Sequence, residues 1–386
     1  FSSSPFAGCI ELATIGCSTS TILPFAELVT SNTGRGPNPL LQNHPLMAIH
    51  PPMLYIGYVG MTMPFVAATS RLYSKKEDSN SWIEVAEKTT YIPWLFLTIG
   101  ITLGAAWSYE VLGWGGYWAW DPVENVSFIP WLLATAFLHS AKIQKTQNTL
   151  LNWNYILVGL MFLSTLFGTF ITRSGVLISV HAFSNGNIGT YLLFGMLLFG
   201  LIFIGIGSKN IEYFSKSKKI DNWFGKSGFF VYNNIFLFSS ALVIFIGTIF
   251  PLIYETLYSR QITVGRAYYD ILVGPLLLIL LGLMIFSVKL SIKNLNIQKW
   301  LNDNVVLINI ALMVTIFTLF LLNNSYILIV TVSFSFLLIF TTVSNFYKNF
   351  RIPKGSSSYW TGQIAHLGIG IFALGIILNV SQSFST

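Results

Sequence analysis

The sequence predicts an all-α, polytopic integral membrane protein of about ten transmembrane helices, with a tryptophan-rich segment on its outer face. Three observations predict it. Of 386 residues, 53% are hydrophobic and only 9% charged, where a soluble protein carries roughly 25% charged residues. The apolar residues gather into runs close to the ~20 residues that a bilayer crossing requires. Within lipid only a helix satisfies its backbone polar groups inside one segment, so each run reads as a helix. Lastly, the basic residues cluster in alternate loops.

In chain order, residues 1–49 are mixed in polarity, and Gly34, Gly36, Pro37 and Pro39 break any helix there. They read as an outer-side N-terminal segment that touches the membrane. A helical bundle follows over residues 50–380, with predicted spans at about 51–70, 91–109, 127–142, 154–172, 188–207, 230–251, 270–289, 304–322, 325–344 and 360–380. Residues 381–386 are a tail. Loops 71–90, 142–153, 208–229, 289–303 and 345–359 share one side and hold 17 of the 21 Lys and Arg. The 14 acidic residues divide seven and seven between the sides. The bias is therefore specific to positive charge, and the basic side is cytosol or matrix. No internal repeat or low-complexity tract is apparent.

Composition also excludes several classes. The net charge of +7 is spread over membrane-flanking clusters, which argues against nucleic-acid binding. Cys9 and Cys17 are the only cysteines and allow one optional pair. There is no Cys-x-x-Cys, hence no thiol redox motif or four-cysteine metal site. The chain opens on Phe1 with no signal-peptide pattern, so it is expected to be processed, or cut from a longer or split protein.

The stretch that packing does not explain is GWGGYWAWDPVENVSFIP, Gly113 to Pro130. Trp114, Tyr117, Trp118 and Trp120 sit beside Asp121, Glu124 and three glycines, among them Gly116. A core wants aliphatic side chains and a solvent loop wants small polar ones. A glycine-loosened, Trp-dense segment makes a flat platform with polar handles, which suits a large planar ligand. Haem is the reading, so the rest of the chain must supply iron ligands.

Five histidines are available. His139 lies about 18 Å along the third span from its outer end near Ser127, and His366 about 9 Å into the last span from its inner end. In a hydrocarbon core about 30 Å thick, both fall at nearly one depth. Two imidazoles at one depth on different helices can hold one iron from opposite faces. Ionisable groups inside the membrane are costly and tend to be functional. The plainer alternative is two polar residues, each hydrogen-bonded to a neighbouring helix. Thr135 and Gln363, one turn before each histidine, are candidates to orient the ring nitrogens, and Gly368 and Gly370 would admit a flat macrocycle. His50 and His181 sit at outer helix ends, level with the platform. They read either as a second axial pair or as ordinary interfacial residues. His44 reads as a loop residue. Arg35, Arg173 and Arg266 are outer-side cations suited to haem propionates, with interfacial snorkelling as the alternative. Trp94, Trp153, Trp223, Trp300 and Trp360 read as the interfacial belt.

The stretch WGGYWAWDPVENVSFIPWL resembles the WWD signature of haem-handling proteins in cytochrome c biogenesis, and most closely the CcmF family, the haem-lyase component of the multi-subunit maturation system. The flanking NPLLQNHPLMAIHPPMLYIGYVG, ITRSGVLISVHAF and GQIAHLGIG agree with that family, and the resemblance runs from about Phe1 to Leu378. It implies that His139 and His366 ligate a stable, buried haem b. It implies that His50 and His181 receive the iron of haem delivered by a carrier chaperone. The WWD region (residues 107–127), with Trp114, Gly116, Trp118, Trp120, Asp121 and Glu124, then presents that haem to apocytochrome c. Thiolates of a Cys-x-x-Cys-His motif in the apocytochrome add across the vinyl groups, and the buried haem helps keep the delivered iron reduced. The implied partners are the chaperone, apocytochrome c, membrane lipid and other maturation subunits. Family members are longer at both ends, so a fragment or split-gene subunit is expected. The Ile, Lys, Asn and Phe richness fits an organellar genome, hence the mitochondrial inner membrane, with a bacterial plasma membrane as the alternative. Rival functions are a haem transporter, a b-type electron-transfer subunit using His139 and His366 alone, and a structural scaffold. The first would favour internal repeats and broken helices. The second leaves the platform, His50 and His181 without a role. The scaffold does not explain the depth-matched histidines.

Overall fold

The structure, a computed structural model, describes residues 8–13, 16–20, 44–74, 81–112, 117–174, 188–220, 222–287, 297–321, 326–350 and 357–383. The chain divides into two units, Phe1–Met47 and Ala48–Thr386. In the first, β1 (Gly8–Ala13) and β2 (Gly16–Ser20) pair antiparallel, with a register shift between Cys9 and Glu11. The sequence reading contained no strand there. Strands of six and five residues are too short to stand out from the mixed polarity around them.

The second unit is the expected all-α bundle. Its helices are α1 (Leu46–Gly60), α2 (Thr62–Ser74), α3 (Ser81–Leu112), α4 (Pro122–Gln147), α5 (Leu151–Ser174), α6 (Ile188–Lys209), the short α7 (Ile211–Ser215), α8 (Lys226–Tyr258), α9 (Arg266–Ser287), α10 (Ile297–Leu321), α11 (Tyr326–Phe350) and α12 (Ser357–Ser383). Among the described residues, 9 helical segments are long and apolar enough to cross a membrane, and α12 carries a shorter apolar stretch, Trp360–Ile376. The ten predicted spans fall on these ten segments, and the chain is a multi-pass membrane protein. Helix ends are longer than hydropathy alone indicates. α3 has 32 residues and α8 has 33, the latter about 50 Å at 1.5 Å per residue.

The first crossing is one span broken in two. Pro64 has no N–H and its ring crowds the carbonyl four residues back, so the helix yields just before it. Met61 sits at the break, fully buried, its N–H bonded to the Tyr58 carbonyl at 3.2 Å.

α4 and α5 form the centre. Residues are buried over 72% of the α4 span and 61% of the α5 span, against 11% of α6. The α4 face presents Leu132, Leu133, Ala136 and Phe137 to the main apolar cluster, joined by Leu157, Val158 and Met161 of α5. Small residues let α1 and α3 approach closely, as is usual where lipid removes the hydrophobic drive. A Cβ on Gly57 would meet Leu97 at 2.6 Å, one on Gly100 would meet Leu54 at 2.7 Å, and one on Gly104 would meet His50 at 2.5 Å.

Candidate haem-handling site

The two histidines of the bundle interior come together. His139 of α4 and His366 of α12 have ring centroids 6.4 Å apart and planes within 9° of parallel. Two imidazoles on opposite faces of one metal, at about 2.0–2.1 Å metal–nitrogen, place their centroids about 6 Å apart. His139 donates Nδ1–H to the Thr135 carbonyl at 2.7 Å. That bond fixes the tautomer and puts the lone pair on Nε2. The expected help from Thr135 therefore comes from its carbonyl, while its hydroxyl bonds elsewhere. On α12 both polar atoms are orphaned: His366 Nδ1 and Gln363 Oε1 are buried without a hydrogen-bond partner. One is a ring nitrogen and the other an acceptor, three residues apart on one helix. Among the described residues no group of three His, Cys, Asp or Glu converges. Two nitrogens suit a metal that brings its own equatorial ligands, as haem iron does.

The glycines divide differently from the sequence reading. Gly368 lies on the exposed face of α12 with Thr361, Ile364 and Ile371, because two residues carry it about 200° round the helix from His366. Gly370 shares the histidine's side but packs on α11, where an added Cβ would meet Ile339 at 3.0 Å. The open position beside His366 is Gly362, one turn before it, where an added Cβ meets nothing within 4 Å.

Residues 117–121 of the outer segment lead into α4. Asp121 caps α4, accepting from Val123 N–H at 3.0 Å, with Pro122 in the first turn. Glu124 reaches back, and its Oε2 accepts from the amides of Ala119 at 3.0 Å and Asp121 at 3.1 Å. This is a capping box, so both carboxylates hold backbone. Trp120 has φ 57°, a left-handed conformation unusual for a bulky residue. Its surroundings hold it there. Its carbonyl accepts from Asn125 Nδ2 at 3.2 Å, its indole donates to Asp270 Oδ1 at 3.0 Å, and its ring stacks on Tyr269 at 4.9 Å. Trp118 stands edge-on to Trp120 at 6.0 Å and to Phe128 at 5.6 Å, and its indole N–H is buried without a partner.

His50 lies in the notch of α3 made by Gly100 and Gly104. It donates Nδ1–H to the Gly100 carbonyl at 2.7 Å, and its ring is 5.7 Å from Trp107. Nε2 again carries the lone pair. The chain thus has a half-buried imidazole pair and, toward the other end of the bundle, a third imidazole against the helix that leads into the platform.

Comparison with known proteins decides what this combination belongs to. The cytochrome c assembly protein family matches residues 5–178, a stretch that contains His50, the platform and His139. A cytochrome c-type biogenesis protein CcmF of Pseudomonas fluorescens is 34% identical over 375 residues, covering 93% of this chain and 56% of that protein. Residues 5–178 of the chain belong to the cytochrome c assembly family. CcmF of Escherichia coli is 31% identical over 91% of this chain and 54% of its own length. A solved cytochrome c haem lyase CcmF shares the fold with a TM-score of 0.67 and 28% identity, covering 87% of this chain and 52% of that one. The chain therefore spans about half the length of the assembly proteins it matches.

Of the residues singled out for this family, Trp114, Gly116, His181 and Arg35 lie outside the described residues. Arg173 donates from Nη2 to Tyr55 Oη of α1 at 2.6 Å, close to the His50 helix end. Arg266 is ion-paired with Asp270 at 3.0 Å, the same carboxylate that holds Trp120. Sequence reasoning missed Trp107, 9% exposed with an unpartnered indole N–H. It also missed the Asn125–Trp120 and Asp270–Trp120 bonds. Trp107 carries the signal of a further tryptophan shortly before the platform. Asp270 is 150 residues from Trp120, and nothing local links them. Trp300 is buried in an apolar cluster, and two other belt residues turn inward onto polar partners. Trp94 donates to Thr135 Oγ1 at 2.9 Å and Trp153 to Asn234 Oδ1 at 2.9 Å, because a buried indole N–H needs an acceptor.

Proposed function

We propose that this chain is a haem-lyase component of cytochrome c maturation, with a stable haem b between His139 and His366 and delivered haem presented at the outer WWD segment. The observation that supports it most is the pairing of the two intramembrane imidazoles at 6.4 Å in a family named for cytochrome c assembly. When bound, the buried group supplies one-electron chemistry, suited to keeping delivered iron reduced.

The chain's own residues do the rest. His139 and His366 hold the buried iron, and the Thr135 carbonyl orients His139 and raises its basicity. At the outer end His50, with its tautomer fixed by Gly100, receives the delivered iron, and His181 is its proposed companion. Trp118 and Trp120 offer ring faces, while the unpartnered indole N–H groups of Trp107 and Trp118 are donors for polar groups of the ligand. Arg173, Arg266 and Arg35 are the proposed propionate partners. The enzyme contributes orientation and proximity. The thiols of the apocytochrome's Cys-x-x-Cys-His segment are the nucleophiles, and each S–H adds across one vinyl group of the delivered haem. The proposed partners are a haem-carrying chaperone, apocytochrome c and the remaining maturation subunits. The proposed location is the mitochondrial inner membrane, supported by the Ile, Lys, Asn and Phe richness, with the platform facing the intermembrane space. In the bacterial relatives' setting the equivalent is the plasma membrane.

The test separates the two sites in the assembled system. Changing His50 to Gly should abolish holocytochrome c while the b-type spectrum persists. Changing His139 to Gly should remove that spectrum. Movement of haem across vesicles by the purified chain, with no attachment to apocytochrome, would contradict the proposal.

A further inference from the structure

One turn from His139, α3 and α4 are joined by a reciprocal hydrogen-bonded interlock. α3 carries Trp94-x-x-x-Thr98 and α4 carries Trp131-x-x-x-Thr135. The helices run antiparallel. Trp94 Nε1–H donates to Thr135 Oγ1 at 2.9 Å, and Trp131 Nε1–H donates to Thr98 Oγ1 at 2.8 Å. Each threonine hydroxyl gives its own proton to the tryptophan carbonyl one turn earlier in its helix. Thr135 donates to the Trp131 carbonyl at 2.8 Å, and Thr98 to the Trp94 carbonyl at 2.8 Å. The indoles stack between the helices at 6.2 Å and 19°. The motif is close to two-fold symmetric, and all four polar side chains are satisfied by it.

Thr135 is the shared point. Its hydroxyl belongs to the interlock, and its carbonyl receives the His139 Nδ1–H at 2.7 Å. We propose that Trp94, Thr98 and Trp131 are positioning residues for His139: the interlock fixes α3 against α4 one turn outward of the ring, and so holds the carbonyl that sets its tautomer and basicity. A slip of either helix would break both indole bonds, and the unmade donors would lie where no water replaces the partner. Because residues 117–121 run directly into α4, the same pin that holds His139 also holds the helix that carries them. This rests on the haem b reading above for its consequence. Its structural content concerns the state of His139 alone.

Two readouts therefore test it on the full chain in membranes. In the haem-free protein, imidazole ¹⁵N signals of His139 should show Nδ1 protonated. Trp94→Phe, which removes the indole bond to Thr135, and Thr98→Val, which removes both bonds of the Thr98 hydroxyl with little change of shape, should give a mixture of tautomers, and Thr98→Ser should keep the wild-type signal. In the haem-bound protein the same two variants should keep both axial ligands but shift the midpoint potential. A tenfold change in relative affinity for the two oxidation states corresponds to ~59 mV for a one-electron couple. A folded Trp94→Phe with the wild-type tautomer overturns the inference, whatever the haem does. If His139→Gly keeps the b-type spectrum, the ligand reading fails, while the tautomer measurement still decides the interlock.

Discussion

Asp121 and Glu124 are the polar handles of the Trp-rich segment, and their geometry makes a sharp prediction about what they do. Both oxygens that matter are engaged with backbone. Asp121→Ala removes the cap on Val123 and should cost about 0.5–2 kcal/mol. Glu124→Ala leaves two amides, of Ala119 and Asp121, without their acceptor. At about 1–2 kcal/mol for each part-buried donor, the cost is about 2–4 kcal/mol. Isosteric amides separate this from a role for charge. Asn caps about as well as Asp. The amides of Ala119 and Asp121 both donate to the single oxygen Oε2 of Glu124, so the one carbonyl oxygen of Gln can accept both. Asp121→Asn and Glu124→Gln should therefore keep nearly all the stability, short of about 0.3–1 kcal/mol of charge–dipole interaction each. The assay pairs thermal unfolding in detergent with the yield of holocytochrome c in the assembled system. Both amide variants should retain most of the yield, and both alanine variants should lose stability and yield together. If the amides are stable yet as inactive as the alanines, the carboxylates act on a ligand through their charge, and the capping explanation is refuted.

Three other outcomes follow from the same contacts. Gly104→Ala places a Cβ 2.5 Å from His50 Cε1, so it should displace the ring and lower holocytochrome yield as His50→Gly does, with the buried spectrum unchanged. Asp270→Asn should weaken the hold on both the Trp120 indole and Arg266. An exposed ion pair is worth about 0.2–1 kcal/mol, so stability should barely move while Trp120 fluorescence shifts. The near-parallel planes of His139 and His366, within 9°, predict a rhombic low-spin electron paramagnetic resonance spectrum with three resolved g values, whereas a highly anisotropic single-g signal would mean crossed planes.

The architecture was largely legible because hydropathy and loop charge are one-dimensional signals. All ten spans are visible as apolar runs, and helix depth arithmetic puts His139 and His366 at one level. What the sequence hid depends on angle and on distant partners. Gly368 looked adjacent to His366 in the chain but lies about 200° round the helix from it. Trp94 looked like an interfacial anchor, since a tryptophan beside a span edge carries no sign of which way its indole turns. The roles of Asp121 and Glu124 were readable in hindsight from Asp-Pro-Val-Glu, a capping-box spacing with proline in the first turn. Their place in a Trp-rich stretch drew attention to ligand chemistry instead. Asp270's hold on Trp120 spans the fold and has no local signature.

The most direct measurement is the haem content and visible spectrum of the wild-type chain beside His139→Gly and His366→Gly. The wild type should purify with one low-spin b-type haem, and each single change should remove or convert that spectrum. A wild-type spectrum that survives both changes would contradict the buried bis-histidine site.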